Sequence, residues 1–329
     1  MFAVTFFDGE GWRDGVLDTV DGRPELREAW PTPGMRRLGG VIIGGFTDHH
    51  VHLQLVDHTL LAASALGRVV DLGADVRFVS GLRSSLNDPG TGLRSSLNDR
   101  GVSVEYAGAF LTPPGGYPSD REWAPGGSFR QIANAADAHA AVHEMADAGA
   151  SCIKVASNST AGPVFDDAVF GAIVEAAHAL GLPVVAHAEG SGEAQRVVRL
   201  GADRLAHAPF TERLTDDEVA EQAASVSWIS TLAIHSGADL HIALDNIRRF
   251  HAAGGRVLYG TDMGNGPTPV DVNPQELAAL HDAGVAGAAL LKALAPQDPR
   301  DPASLLLLLP GIDAAPALAR PLTLADLEA

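Results

Sequence analysis

From residue 41 onward two hydrophobic patterns alternate along the chain. Short apolar runs are separated by alanine-rich stretches whose apolar residues recur at helical spacing, and most of these stretches close on a glycine. Apolar runs bounded in this way predict strands buried on both faces, as in a parallel sheet covered by helices. Eight runs qualify: VIIGGFTDHHVHL at 41–53, RVVDLG at 68–73, VSVEYAGAF at 102–110, CIKVA at 152–156, LPVVAHA at 182–188, RLAHAP at 204–209, SWISTLA at 227–233 and RVLYGTD at 256–262. Helices are predicted over 139–149, 166–181, 192–201, 216–224 and 243–254, with closing helices over 276–295. This alternation predicts an α/β fold, a (β/α)8 TIM barrel over residues 41–299.

The two ends read differently. Residues 1–40 hold β-like pieces, AVTFF and GVLDTV, parted by Gly and Asp, and residues 300–329 read as one or two further strands. Together, 1–40 plus 300–329 predict a small, reduced β-sheet domain beside the barrel. One segment fits neither part. GLRSSLNDPGT at 81–91 is followed at once by GLRSSLNDRG at 92–101. A single pair is too short for a solenoid. Its turn residues predict a surface loop after the second strand, either a tolerated duplication or a lid over the barrel mouth.

Composition narrows the function classes. Hydrophobic residues make up 46% of the 329-residue chain, enough for a core of barrel size. Lysine and arginine number 23 against 41 acids, a formal charge of −18, which argues against nucleic acid as a partner because phosphate binding needs a basic face. The single cysteine, Cys152, excludes an intramolecular disulfide and gives no reason to invoke an oxidising compartment. The N-terminal MFAVTFFDGEGWRDG lacks the basic-then-apolar order of a signal peptide, and LLLLLP near the C-terminus is too short to span a bilayer. The expectation is a cytoplasmic protein with a small-molecule substrate, no membrane partner, and room for a homo-oligomer.

The candidate chemistry sits at the ends of the predicted strands. His50 and His52 are two apart in TDHHVHL, so on a strand both imidazoles face one side. Two histidines alone could be polar core residues. However, His187 ends strand five, His207 ends strand six, Asp262 ends strand eight, and Lys154 lies inside the apolar strand four. Functional residues of a (β/α)8 barrel gather at the C-terminal strand ends. Four imidazoles and a carboxylate there suit zinc or a similar borderline cation. A lysine among them is costly as a buried cation, and makes sense if it is neutral or modified.

At these residues the chain resembles the amidohydrolase superfamily, from GGFTDHHVHL through AVHEMADAGASCIKV to GVAGAALLKALA. The order HxH, Lys, His, His, Asp is similar to the binuclear, carbamylated-lysine type, nearest the imidazolonepropionase-like and prolidase-like branch. The resemblance implies two divalent metal ions, zinc first with manganese or iron as alternatives. Lys154 would carry a CO2-derived carbamate bridging them. His50, His52 and Asp262 would hold one ion, and His187 and His207 the other. A hydroxide between the metals would be the nucleophile, and Asp262 would take its proton and pass it to the leaving group. The implied activity is hydrolysis of a C–N bond in an amide or cyclic amide. Lactone or ester hydrolysis on the same site is the alternative, and a non-catalytic barrel relative or a metal-dependent lyase or deaminase stands behind it. The chain departs from the family in its short ends, and in APFTERL after His207, where a glycine-rich continuation is expected.

The remaining candidates are substrate contacts. The Pro- and Gly-rich loop after strand three carries Tyr117, Arg121 and Trp123, and His235 follows strand seven near the mouth. Cys152, two before Lys154, reads as a core residue one layer deeper. His139, His143, His178, His251 and His281 lie on helical stretches and read as surface or packing residues.

Overall fold

The computed structural model describes residues 1–20, 23–87, 102–323 and 325–328. The chain opens with β1 (Phe2–Phe7), β2 (Trp12–Val20) and β3 (Arg23–Arg27), an antiparallel run, followed by β4 (Val41–Gly44), which lies parallel to β1. The parallel strands come next: β5 (Phe46–Val51), β6 (Leu66–Asp71), β7 (Ser103–Tyr106), β8 (Phe110–Thr112), β9 (Phe129–Gln131), β10 (Ile153–Asn158), β11 (Val184–Glu189), β12 (Arg204–Leu205), β13 (Ser227–Ile229) and β14 (Arg256–Leu258). Near the end, β15 (Leu306–Leu309) and β16 (Arg320–Pro321) return to the first sheet, whose order is β16-β15-β4-β1-β2-β3. Val4, Phe6, Leu17, Ile42 and Leu306 form its own apolar cluster.

The first predicted strand is thus two strands in two sheets. β4 pairs with β15, whereas β5 pairs with β6. The glycines between them explain the switch. A Cβ on Gly44 would lie 1.9 Å from the carbonyl oxygen of Gln297, and one on Gly45 would lie 2.5 Å from the Cα of Gly67. Only a residue without a side chain lets the backbone pass so close to its neighbours. The third predicted strand divides likewise. β7 pairs with β6 and β8 with β10, with Gly108 at φ +77° between them.

The parallel strands therefore form two sheets, β5-β6-β7 and β14-β13-β12-β11-β10-β8-β9, rather than one unbroken ladder. Main-chain hydrogen bonds join the sheets at both edges. The amides of His49 and His52 donate to Tyr259 O and Met263 O at 3.0 and 2.7 Å, and Ser151 N donates to Tyr106 O at 2.8 Å. Val70, Leu72, Cys152, Val185, Ile229 and Leu258, drawn from strands of both sheets, pack into one inner cluster. Cys152 is a core residue there, its thiol pushed up to about 12 by burial.

Helices cover the outer faces. The helix Gly237–Ala252 stacks Phe250 on Trp228 of β13 at 3.8 Å, and the indole N–H donates to Gln222 at 2.9 Å. The closing helices expected over 276–295 are present, and the expectations for residues 81–87 and for strand seven change. Residues 81–87, expected in a loop, belong to the helix Val76–Asn87, because Leu82 is buried in the main core and Arg83 donates to Gly149 O at 2.8 Å. The rest of the tandem repeat lies outside the described residues. The closing stretch 276–295 is two helices, Pro274–Asp282 and Ala288–Ala293, broken where Gly284 and Gly287 take positive φ. Strand seven stops at Ile229 because Thr231 turns the chain into a left-handed conformation.

Candidate active site

The predicted site residues lie on the parallel strands or just beyond their C-terminal ends, with Lys154 near the start of its strand. His50 lies on β5, His52 just past its end, Lys154 on β10 and His187 on β11. His207 and Asp262 follow β12 and β14. All six are buried. His50, His52 and Asp262 each offer a ligand atom within 4.8 Å of the others. Nε2 of His50 and Nε2 of His52 stand 3.2 and 3.0 Å from Oδ1 of Asp262. The rings of His50 and His207 are 4.8 Å apart, and those of His207 and His187 4.9 Å apart, so the four imidazoles form a continuous row.

The other ring nitrogens are committed to partners that aim the rings. Nδ1 of His50 meets Ala206 O at 2.9 Å, Nδ1 of His52 meets Gly73 O at 3.0 Å, and Nδ1 of His207 meets Thr231 Oγ1 at 2.8 Å. A histidine held through Nδ1 presents Nε2, the usual arrangement of a metal-binding imidazole. His187 differs. Its Nε2 lies 3.1 Å from Oε2 of Glu189, which also accepts from Asn158 at 2.7 Å. Glu189 is a site residue that the strand-end reading missed. Its signal was present, since it stands two after His187 on the same face of β11.

The electrostatics are those of a buried charge cluster. Burial opposes the ionised form of Asp262, yet the neighbouring His50 and His52 hold its carboxyl well below the usual range. Burial pulls the Lys154 amine down to about 7, so near neutral pH a large share of it is the free base. Nζ of Lys154 is buried without a hydrogen-bond partner. A buried polar atom left unpaired costs about 1–3 kcal/mol, so it calls for a functional account. These residues fit a divalent metal: converging imidazoles, a carboxylate held ionised, and an orphaned amine beside them.

Backbone strain points to the same place. Asp262 and Thr231 are non-glycine residues at φ +54° and +44°. Such conformations cost about 1–3 kcal/mol each and gather at functional sites. Asp48 stabilises one of the turns, accepting from Thr261 Oγ1 at 2.6 Å and from the amide of His50 at 3.0 Å. Asp71, at the end of β6, accepts from the amides of Leu53 and Gly73 at 2.7 and 2.9 Å and so fixes the chain after His52. Neither carboxylate was singled out from sequence.

A cavity of about 420 Å³ opens on the cluster, bordered by His50, His52, Lys154, His207 and Asp262, and walled by Leu55, Phe110, Tyr117, Trp123 and Asn265. Asn265 donates to Oδ2 of Asp262 at 2.8 Å. Of the three loop candidates, Tyr117 and Trp123 line the cavity, whereas Arg121 lies outside it, 5.8 Å over the Tyr117 ring and paired with Asp120. His235 stacks on Phe210 at 4.2 Å, one ring beyond His207, and its buried Nε2 has no partner. Of the helix histidines, His139, His143, His178 and His281 are exposed and His251 is half-buried.

No protein-family model matches this sequence, and no curated protein matches it. Solved structures do match in fold. One described as a prolidase from Bifidobacterium longum is 21% identical, with 97% of this chain and 91% of that one covered at a TM-score of 0.70. Ochratoxinase from A. niger is 15% identical, with 98% and 95% covered at 0.69. A structure described as an amidohydrolase is 17% identical, with 97% of each chain covered at 0.65. The chain is thus similar in fold to these proteins over nearly its whole length.

Proposed function

We propose that this chain, which shares its fold with amidohydrolase-superfamily hydrolases, is itself a metal-dependent hydrolase of that superfamily, cleaving a C–N amide or cyclic amide bond in a small molecule. The observation that carries this reading is the convergence of His50, His52 and Asp262 beside an orphaned, buried Lys154. Two divalent ions, zinc first by the donor set, would be held by His50, His52 and Asp262 on one side and by His187 and His207 on the other. Bound there, the metals would supply an activated water and a polarised carbonyl. Lys154 would join both sites as a carbamate. Its free amine is the form that adds to CO2, losing a proton as the N–C bond forms, and the bound cations would offset the burial of the resulting anion.

The chain's own residues supply the rest. Asp262, held ionised, accepts the proton of the attacking water and returns it to the leaving nitrogen. Asn265 holds Oδ2 of Asp262, leaving Oδ1 toward the histidines. Tyr117 and Trp123 form part of the cavity wall. The architecture that would present these groups is a (β/α)8 barrel beginning at Phe46, with the six-stranded sheet from both chain ends as an accessory domain. The inner cluster shared by both parallel sheets supports it. Elemental analysis of gently purified protein should find close to two divalent ions per chain, and a panel of small amides and lactones should show turnover of amides. Less than half an equivalent of metal, unrestored by zinc or manganese with bicarbonate, would sink the binuclear site.

A further inference from the structure

The mouth of the cavity carries information about the substrate that the metal ligands do not. Leu55 and Trp123 stay 37% and 44% exposed although they border the cavity, so their apolar surfaces are not consumed by core packing. Tyr117 pairs with Trp123 at 6.0 Å between ring centroids and stacks on His187 at 5.2 Å. Phe110 stacks on His52 at 5.6 Å. Aromatic surface therefore runs from the rim to the histidine row.

Charge is arranged the other way. No arginine lines the cavity among the described residues, and its one lysine is the buried Lys154. Arg121, which lies 5.8 Å over the Tyr117 ring, is engaged with Asp120 at 3.4 Å. Asp262 borders the cavity, and Glu189 meets His187, the ring on which Tyr117 stacks. A substrate carboxylate placed among these rings would meet aromatic faces and no donor fork, a costly arrangement in a partly desolvated pocket.

We propose that the group seated at this mouth is an uncharged aromatic ring, so that the substrate is a neutral aryl- or arylalkyl-bearing amide rather than a dipeptide-like molecule with a free carboxylate. The inference rests on the hydrolase reading for the bond that is cut, but the ring's seat stands on the cavity alone. A pocket of this volume takes a small molecule whole, and ring-on-ring contacts add about 0.5–1.5 kcal/mol beyond area burial.

Three amides of one length test it with the metal-loaded protein: N-acetylphenethylamine, N-acetylphenylalanine, which adds only a carboxylate, and N-acetylhexylamine, which lacks the ring. Binding is read by quenching of tryptophan fluorescence and turnover separately by amine release. N-acetylphenethylamine should bind about tenfold more tightly than either of the others. Trp123→Ala should raise its KM about tenfold with little change in kcat, and Trp123→Phe should restore it. Equal or better binding of N-acetylphenylalanine, no binding of any of the three, or an unchanged KM in Trp123→Ala would overturn the proposal. If N-acetylphenethylamine binds as expected but none of the three is cleaved, the aromatic seat stands and the hydrolase reading falls. Preferential cleavage of N-acetylphenylalanine does the reverse.

Discussion

Nε2 of His52 stands 3.0 Å from Oδ1 of Asp262, two groups that open and close the series of parallel strands. The contact is made at the seam where β5 and the end of β14 come together. His52 N donates to Met263 O across that seam, and Val51 bridges Met263. The same backbone bonds that join the two sheets therefore set the spacing of the candidate ligands. The left-handed conformation of Asp262 turns its carboxylate inward at that point.

Asp262→Asn should separate binding from proton transfer. Asparagine keeps a carbonyl oxygen as a ligand but accepts no proton near neutral pH. Turnover should fall by about 10²- to 10⁴-fold while the metal content falls much less. Near wild-type turnover in a metal-replete variant would remove Asp262 from the proton path.

Lys154→Met should trade function for stability. Methionine fills similar space and removes an amine that has no hydrogen-bond partner in the interior. The variant should lose most bound metal and all measurable turnover, yet its metal-free form should melt higher than metal-free wild type, by a stability gain on the order of 1 kcal/mol or more. A variant that keeps its metal, or melts lower, would show that the amine serves packing alone.

Glu276 offers a pH test away from the metal ligands. It is buried beneath the Leu232–Ile234 turn that leads to His235, and its Oε2 accepts from Ala233 N at 2.7 Å. Burial raises its carboxyl from 4.5 to about 7. Between those values the unfolded carboxyl is ionised while the folded one keeps its proton. The folded state then binds more protons, so this group makes stability fall as pH rises through the window. Glu276→Gln should flatten that slope relative to wild type by on the order of 1–3 kcal/mol across pH 4.5 to 7. Identical pH profiles for the two proteins in urea unfolding would refute the burial effect.

Deleting residues 81–91 should leave the melting temperature unchanged. The second copy then continues from Ser80 with the same GLRSSLN that the helix Val76–Asn87 uses. Leucine and arginine return to the places of Leu82 in the core and Arg83 on Gly149 O. Unchanged kinetics would identify a neutral duplication, altered KM or kcat a lid, and a large drop in melting temperature an integrated second copy.

Much of this protein was legible in one dimension because burial leaves a periodic mark. The apolar runs, the helices between them and the polar residues at the run ends all follow from local pattern, and so do the four His, the Lys and the Asp as candidates for one site. The β character of both chain ends was visible in the same way. Distance in space left no such mark. The helical pattern of residues 81–87 was hidden by turn-forming residues, and only the packing of Leu82 and Arg83 decided it. Gly44 and Gly45 read as part of a strand, but the close approach of Gln297 and Gly67 makes them the point where the chain changes sheets. The engagement of His187 by Glu189, the inward turn of Asp262 and the aromatic mouth with Arg121 outside it were likewise set by tertiary structure. Each depends on elements far apart in the chain arriving within a few ångströms, and hydrogen bonds and ring contacts form only at that range.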